Sequence, residues 1–323
     1  MKNINIKQRA FTVAIMAAGV LIASSFTNQK APAADDLDGT ISISGAFALY
    51  PMAIKWAGEF KKLHPKVTFN ISAGGAGKGI TDALSGLVDI GLASRDIDPA
   101  EIKKGAYTVY VTKDAVVPTF NTANPDASAL LAKGVKKNQF LDVFVSGNIK
   151  NWKQLAGSVS VPVHVYTRSD ASGAGETWAK YLGKKQEDLL GVGVYGDPGL
   201  AQAVKKDITA IGYNNIAYLY DLKTRKQVEG VHALPIDVNG NGKIDADENF
   251  YGTIDNLTAA IADGKYPSPP ARNLGFVFKG KPKKKELVEF VKYVLTAGQK
   301  FVGENGYIPL SKSKIQEELK KVE

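Results

Sequence analysis

The run Thr40-Ile41-Ser42-Ile43-Ser44-Gly45-Ala46-Phe47-Ala48-Leu49-Tyr50-Pro51 changes its period part-way along. Residues 40–44 alternate as a strand does. Met52, Trp56, Phe60 and Leu63 then recur at helical spacing behind a proline that the first helical turn tolerates. Strand, loop and helix follow in succession. Residues 67–72 (VTFNIS) alternate again, residues 73–79 (AGGAGKG) form a tight glycine turn, residues 80–87 suit a short helix and residues 89–93 a third strand. The unit is βαβαβ. Its two strand-to-helix junctions, near Ala46 and Gly77, project from the carboxyl edge of one sheet, where open α/β folds bind ligands. Ser94-Arg95 follows the third strand at that edge.

The same device recurs downstream. After Val116-Val117 comes an apolar run at 140–145, then 163–167 (VHVYT), a polar turn at 168–175 and a helix from Glu176 through Trp178 to Leu182. Residues 208–213 and 230–236 read as further strands, giving a second α/β layer between about 119 and 271. Residues 274–278 and 284–302 read as a strand and an amphipathic helix, with Leu287, Phe290, Val291 and Val294 on one face, and return to the first layer. The expected division is a first lobe of 34–118 plus 272–323 and a second lobe of 119–271.

Composition narrows the function classes. The 323 residues are ample for two lobes, and 44% hydrophobic with 23% charged residues is a globular balance. There is no cysteine, which excludes disulfides, thiolate zinc sites, a cysteine nucleophile and a lipid-modified N-terminal cysteine. The net charge of +9 is partly an N-terminal matter. Lys2, Lys7 and Arg9 precede an uncharged apolar run at 10–23 and a small-x-small site, Ala31-Pro32-Ala33, the order of a secretory signal peptide at residues 1–33. Without those residues 37 basic face 32 acidic side chains, a net +5. The excess is dispersed except at 281–285, so no nucleic-acid partner is expected.

Helix N-termini present unpaired amides and a positive dipole, and glycine lets an oxyanion approach them. Three segments, 44–50, 74–80 and 168–175, each offer such donors, and Arg168 adds a guanidinium suited to paired hydrogen bonds with a tetrahedral oxyanion. Three segments converging would enclose one anion.

In order and spacing these segments resemble the phosphate-binding proteins of ABC transporters, the PstS-like family, over nearly the whole mature chain. Gly45-Ala46-Phe47-Ala48-Leu49-Tyr50-Pro51 is similar to the first family loop, and Gly75-Ala76-Gly77-Lys78-Gly79-Ile80 to the second. Residues 88–95 resemble the Val-Asp-Ile-(Gly/Ala)-x-x-Ser-Arg segment, residues 168–174 the Arg-x-x-x-Ser-Gly-Thr segment, and residues 306–310 the closing Gly-Tyr-x-Pro-Leu. The resemblance implies an α/β, two-lobed, periplasmic-binding-protein-like (type II) fold with a hinge. It also implies a secreted monomer that clamps inorganic phosphate and delivers it to an inner-membrane ABC permease with its ATPase. The residues it points to are Ala46, Phe47, Ala48, Ala76, Gly77, Lys78, Ser94, Arg95, Arg168, Ser172, Gly173 and Ala174. At Ala46, Phe47, Ala76 and Ala174 the family commonly has Ser or Thr, so donation passes to backbone amides, with Ser44, Lys78 and Arg95 available to compensate. Asp89, Asp96 and Asp170 are the carboxylates expected near the cleft, any of which would accept a proton from hydrogen phosphate and so reject sulfate, with Asp170 favoured because it lies in the arginine turn. Lacking a lipid-bearing cysteine, the mature chain is expected free in the periplasm.

Residues 237–248 (DVNGNGKIDADE) fit the twelve-residue calcium loop: Asp237, Asn239, Asn241, Lys243 through its carbonyl, Asp245 and Glu248 as ligands, glycine at the sixth place and an apolar residue at the eighth. A structural calcium in the second lobe is expected. The other classes weighed are a binding protein for sulfate or arsenate, a secreted enzyme and an adhesion protein. Gly77-Lys78 is not a P-loop, since Ser72 and Gly79 occupy places that need glycine and Ser or Thr. There is no G-x-S-x-G, and His64, His164 and His232 have no nucleophile placed for them. Binding without chemistry is the expected output.

Overall fold

The computed structural model describes residues 37–157 and 159–323. The expected signal peptide at 1–33 lies outside the described residues. β1 (Gly39–Gly45), β2 (Val67–Ala73) and β3 (Ile90–Ala93) run parallel, with β1 central. Helix α1 (Tyr50–Leu63) joins the first two strands, and α2 (Ala76–Ser85) joins β2 to β3. Pro51 sits in the first turn of α1, and the helix stops at His64 before Pro65, where a proline disfavours helical backbone in the residue ahead of it. Met52, Trp56 and Phe60 turn inward at the predicted spacing and are at most 1% exposed.

β4 (Ala106–Asn121) is the long strand of the molecule, and β9 (Ala271–Lys279) lies antiparallel to its first part. Its last part pairs with β7 (Ala210–Asn215) and β8 (Val231–Ala233), and β5 (His164–Arg168) and β6 (Val192–Val194) continue outward from β7. The sheet order is β2-β1-β3-β9-β4-β7-β5-β6, with β8 beside β4.

Two apolar cores lie on this frame. One gathers Trp56, Phe60, Phe276 and Phe290, with Phe60 and Phe290 ring centroids 5.3 Å apart. The other gathers Phe140, Phe144, Trp178 and Tyr213, with Phe140 and Trp178 at 5.1 Å. The chain passes from the first core to the second along β4, between Val111 and Ala115, and returns at the start of β9, between Ala271 and Leu274. These strands are the only β segments whose residues serve both cores among the described residues, and they are where the lobes can pivot.

The pattern and the fold differ in several places: the helices expected at 80–87 and from Glu176 begin earlier, at Ala76 and Gly173, and the one expected at 284–302 ends at Leu295. The apolar run at 140–145 falls in and just after the helix Lys137–Phe144, which buries Phe140, Val143 and Phe144. Residues 106–115, unremarked by pattern, form most of β4. The strand expected at 230–236 stops at Ala233, because Pro235 has no amide to donate to a ladder.

Candidate functional site

The carboxyl edge of β1 brings the first junction to the interlobe cleft. Gly45 and Gly79 sit back to back: a Cβ on Gly79 would lie 2.6 Å from the Gly45 Cα, so two glycines let α2 press against the sheet. Part of the glycine turn therefore serves packing. At its far end, Gly77 donates its amide to the carbonyl of Ala171 in the second lobe over 3.1 Å. Ser94, 2% exposed after β3, meets Gly173 so closely that a Cβ there would lie 2.0 Å from the Ser94 hydroxyl. Phe47 reaches across as well. Its ring lies 5.4 Å from the Arg168 guanidinium and edge-on to Tyr195 at 5.8 Å, and its carbonyl accepts from the Tyr218 hydroxyl over 3.1 Å. The cleft is closed on these contacts.

Several amides at this junction have no acceptor among the described residues. They are those of Phe47 and Ala48 before α1, Ala76 and Lys78 in the first turn of α2, and Gly173 and Ala174 in the first turn of the helix Gly173–Tyr181. Ala46, by contrast, donates to Leu92 over 2.9 Å, and the Ser172 amide donates to Gln186. The Ser172 hydroxyl caps its helix by accepting from Gly175 over 2.8 Å. Ala46, Ala76 and Ala174 are at most 2% exposed, so their methyl groups are packed.

Arg168 ends β5 with its side chain 1% exposed. Its Nε donates to Asp170 Oδ1 at 2.8 Å, Nη2 to Asp170 Oδ2 at 2.6 Å, and Nη1 to Asp197 Oδ2 at 2.5 Å. Burial opposes the charge, but Asp197 and Asp170 hold the guanidinium pKa above its ordinary value. Three of the five N–H donors are engaged, which leaves two for a ligand.

The structure thus brings together Phe47, Ala48, Ala76, Gly77, Ser94, Arg168, Ser172, Gly173 and Ala174. It pairs both proposed extra cations with carboxylates, although Arg95 still lines one cavity with Arg168 and Ser172. The Lys78 ammonium pairs with Asp82, which also accepts from the Ser44 hydroxyl over 2.6 Å. Arg95 forms a fork on Glu101 at 2.7 and 2.9 Å. Both cations have a carboxylate at helical or turn spacing. The calcium-type loop at 237–248 lies apart, after β8.

Sequence reasoning missed a polar chain behind Arg168. Asp197 Oδ1 accepts from the Asn215 amide group over 2.7 Å, and Asn215 accepts from Arg272. Arg272 in turn pairs with Asp114 at 2.8 Å and donates to the Gly173 carbonyl at 2.5 Å. Arg272 and Asp114 belong to β9 and β4, so buried hydrogen bonds join the cleft arginine to the pivot strands. Burial raises the Asp114 carboxyl above its ordinary value against the opposing pull of Arg272. No spacing in the sequence marks Asp197, Asn215 or Arg272.

A profile of the PBP superfamily domain matches residues 28–297. Phosphate-binding protein PstS of Bacillus subtilis (strain 168) is 30% identical over 237 residues, spanning 70% of this chain and 76% of that protein. The chain belongs to the PBP superfamily, in the PstS family of phosphate-binding proteins. Protein SphX of Synechococcus elongatus is 26% identical, covering 92% of this chain and 84% of its own length. A phosphate ABC transporter substrate-binding protein of Clostridium perfringens, solved with bound phosphate, superposes with a TM-score of 0.69 at 25% identity, covering 84% of this chain and 100% of that one. The PstS-family fold is two-lobed and α/β, as the pattern of strands and helices led one to expect.

Proposed function

We propose that this chain captures inorganic phosphate between its lobes and passes it to an ABC permease as the lobes open. One observation carries the reading: unpaired amides stand at helix N-termini of opposite lobes, those of Ala76 and of Gly173 and Ala174, where Gly77 meets Ala171 and Ser94 meets Gly173. Such termini favour an oxyanion through both hydrogen bonds and dipole. An anion held by both lobes stabilises the closed form by that differential contact, and release follows opening about β4 and β9. The phosphate held by the Clostridium relative supports the same class of ligand.

Asp170 supplies the selection. Its Oδ1 accepts from Arg168 and from the Gly196 amide, while Oδ2 accepts only from Arg168. One lone pair on Oδ2 is left, and that oxygen lies against Gly75 at the start of α2, 2.7 Å from where a Cβ would be. A protonated oxyanion can donate to it; sulfate, without a proton at neutral pH, meets repulsion instead. On this reading the protein binds rather than catalyses, acts as a monomer, and works in the periplasm after secretion, handing phosphate to a permease driven by its ATPase.

Calorimetric titration of the mature chain tests it. Phosphate is expected to bind with one site per chain and sulfate to give no heat. Tight sulfate binding, or no binding of phosphate, would overturn the reading.

A further inference from the structure

We propose that residues 237–248 form a calcium site in the second lobe, independent of the phosphate cleft. Oxygen-bearing side chains stand at places 1, 3, 5, 9 and 12 of the loop, Asp237, Asn239, Asn241, Asp245 and Glu248, and place 7 offers the Lys243 carbonyl. A hard cation that takes six to eight oxygens needs that spacing, with the terminal glutamate able to bind through both oxygens.

Charge gives an observation separate from the motif. Asp237 and Glu248 are 3% and 5% exposed, yet neither forms an ion pair among the described residues. The loop's own cation, Lys243, reaches outward to Asp245 at 2.8 Å with its side chain 68% exposed. Asp237 accepts only the amides of Gly240 and Gly242, at 2.7 and 2.8 Å. Glu248 accepts only those of Val238, Asn239 and Asp245. Two buried carboxylates at the two ends of one loop lack a positive partner, a costly arrangement that a divalent cation relieves.

The intermediate places converge too. The Asn239 and Asn241 side chains both donate to Asp245 Oδ2, at 3.0 and 2.7 Å. Their oxygens accept from the amides of Asn241 and Lys243 over 2.9 and 3.0 Å, bonds that each side chain would exchange for coordination on turning its oxygen to a cation. The carboxylates by themselves form no compact metal cluster. The set is complete only with two amides and a carbonyl, a hard, all-oxygen set that suits calcium over zinc or copper.

The cation would fasten the loop to the lobe. The amide of Ile244, at place 8, donates to Ala132 over 2.8 Å, and that of Asp237 donates to Val135 over 3.1 Å, so the loop is tied to the segment following β4.

The test uses the mature chain after treatment with chelator, titrated with calcium chloride and with magnesium chloride by calorimetry and melted in millimolar calcium or in EGTA. One calcium per chain and a higher melting temperature in calcium are expected. Glu248→Gln should abolish both effects while phosphate binding persists, which separates this site from the cleft. Because Glu248 is buried, the exposed Asn241→Ala serves as a second variant, expected to weaken calcium by about tenfold or more. Absence of calcium heat, calcium binding undiminished in both variants, or magnesium bound as tightly as calcium would overturn the proposal.

Discussion

Gly77 of the first lobe donates its amide directly to the carbonyl of Ala171 in the second, 3.1 Å away. A backbone-to-backbone bond across a hinged cleft requires the lobes to meet within one atom's width, and small residues on both sides permit it. Closure is therefore sensitive to a single added carbon.

Gly173→Ala puts that carbon 2.0 Å from the Ser94 hydroxyl and 2.6 Å from the Ser94 carbonyl. The clash exists only when the cleft is shut, so an open variant folds normally. An overpacking cost of about 1–3 kcal/mol should lower phosphate affinity by roughly tenfold to a hundredfold while the melting temperature of the ligand-free protein holds. Calorimetry and thermal melting read the two separately.

Arg168→Ala leaves Asp170 and Asp197, with side chains 8% and 1% exposed, facing each other without a cation. Breaking a buried pair from one side costs about 3–5 kcal/mol, so the variant should melt well below the parent and lose phosphate binding. Adding Asp197→Asn removes one stranded charge. The double variant should regain part of the melting temperature and none of the affinity, an outcome that separates fold support from ligand binding.

Phe47 covers the Arg168 guanidinium at 5.4 Å and touches Tyr195 edge-on. Phe47→Ala removes both contacts but keeps the Phe47 amide. Phosphate should leave faster, with affinity reduced by about tenfold and little change in the association rate, measurable by stopped-flow release.

Acid stability has a traceable source in the first lobe. Asp89 accepts from the Ser42 amide at 2.8 Å, the Ser42 hydroxyl at 2.7 Å and Lys284 at 2.6 Å. Burial works against its charge, but these bonds hold its pKa below the ordinary carboxylate value. A depressed folded pKa gives stability that is complete above about pH 4 and is lost as the pH falls toward the folded value. Asp89→Asn should therefore lower the melting temperature at neutral pH, and its difference from the parent should shrink as the pH is taken below about 4. A difference that grows in acid would contradict the assignment.

The sequence carried the fold wherever period was clean. β1, α1 and β2 stand where alternation or helical spacing put them, and the last predicted helix keeps its apolar face but stops at Leu295. It also carried the cleft segments, because glycine turns ahead of helices and an arginine turn leave local signatures. What it did not carry is pairing through space. Nothing local distinguishes a lysine that meets an anion from Lys78, whose neighbour one turn on is Asp82, and Arg95 was read toward the cleft without regard to Glu101. The chain from Arg168 through Asp197, Asn215 and Arg272 to Asp114 joins five separate elements, so no window of sequence contains it.

The central claim is that amides of both lobes close on one phosphate ion. Backbone amide resonances of the mature protein, followed by nuclear magnetic resonance during phosphate titration, test it most directly. The account predicts that Phe47 and Ala76 in one lobe and Gly173 and Ala174 in the other shift together at one equivalent of phosphate and become protected from exchange. Shifts confined to one lobe, or none at these four amides, would contradict it.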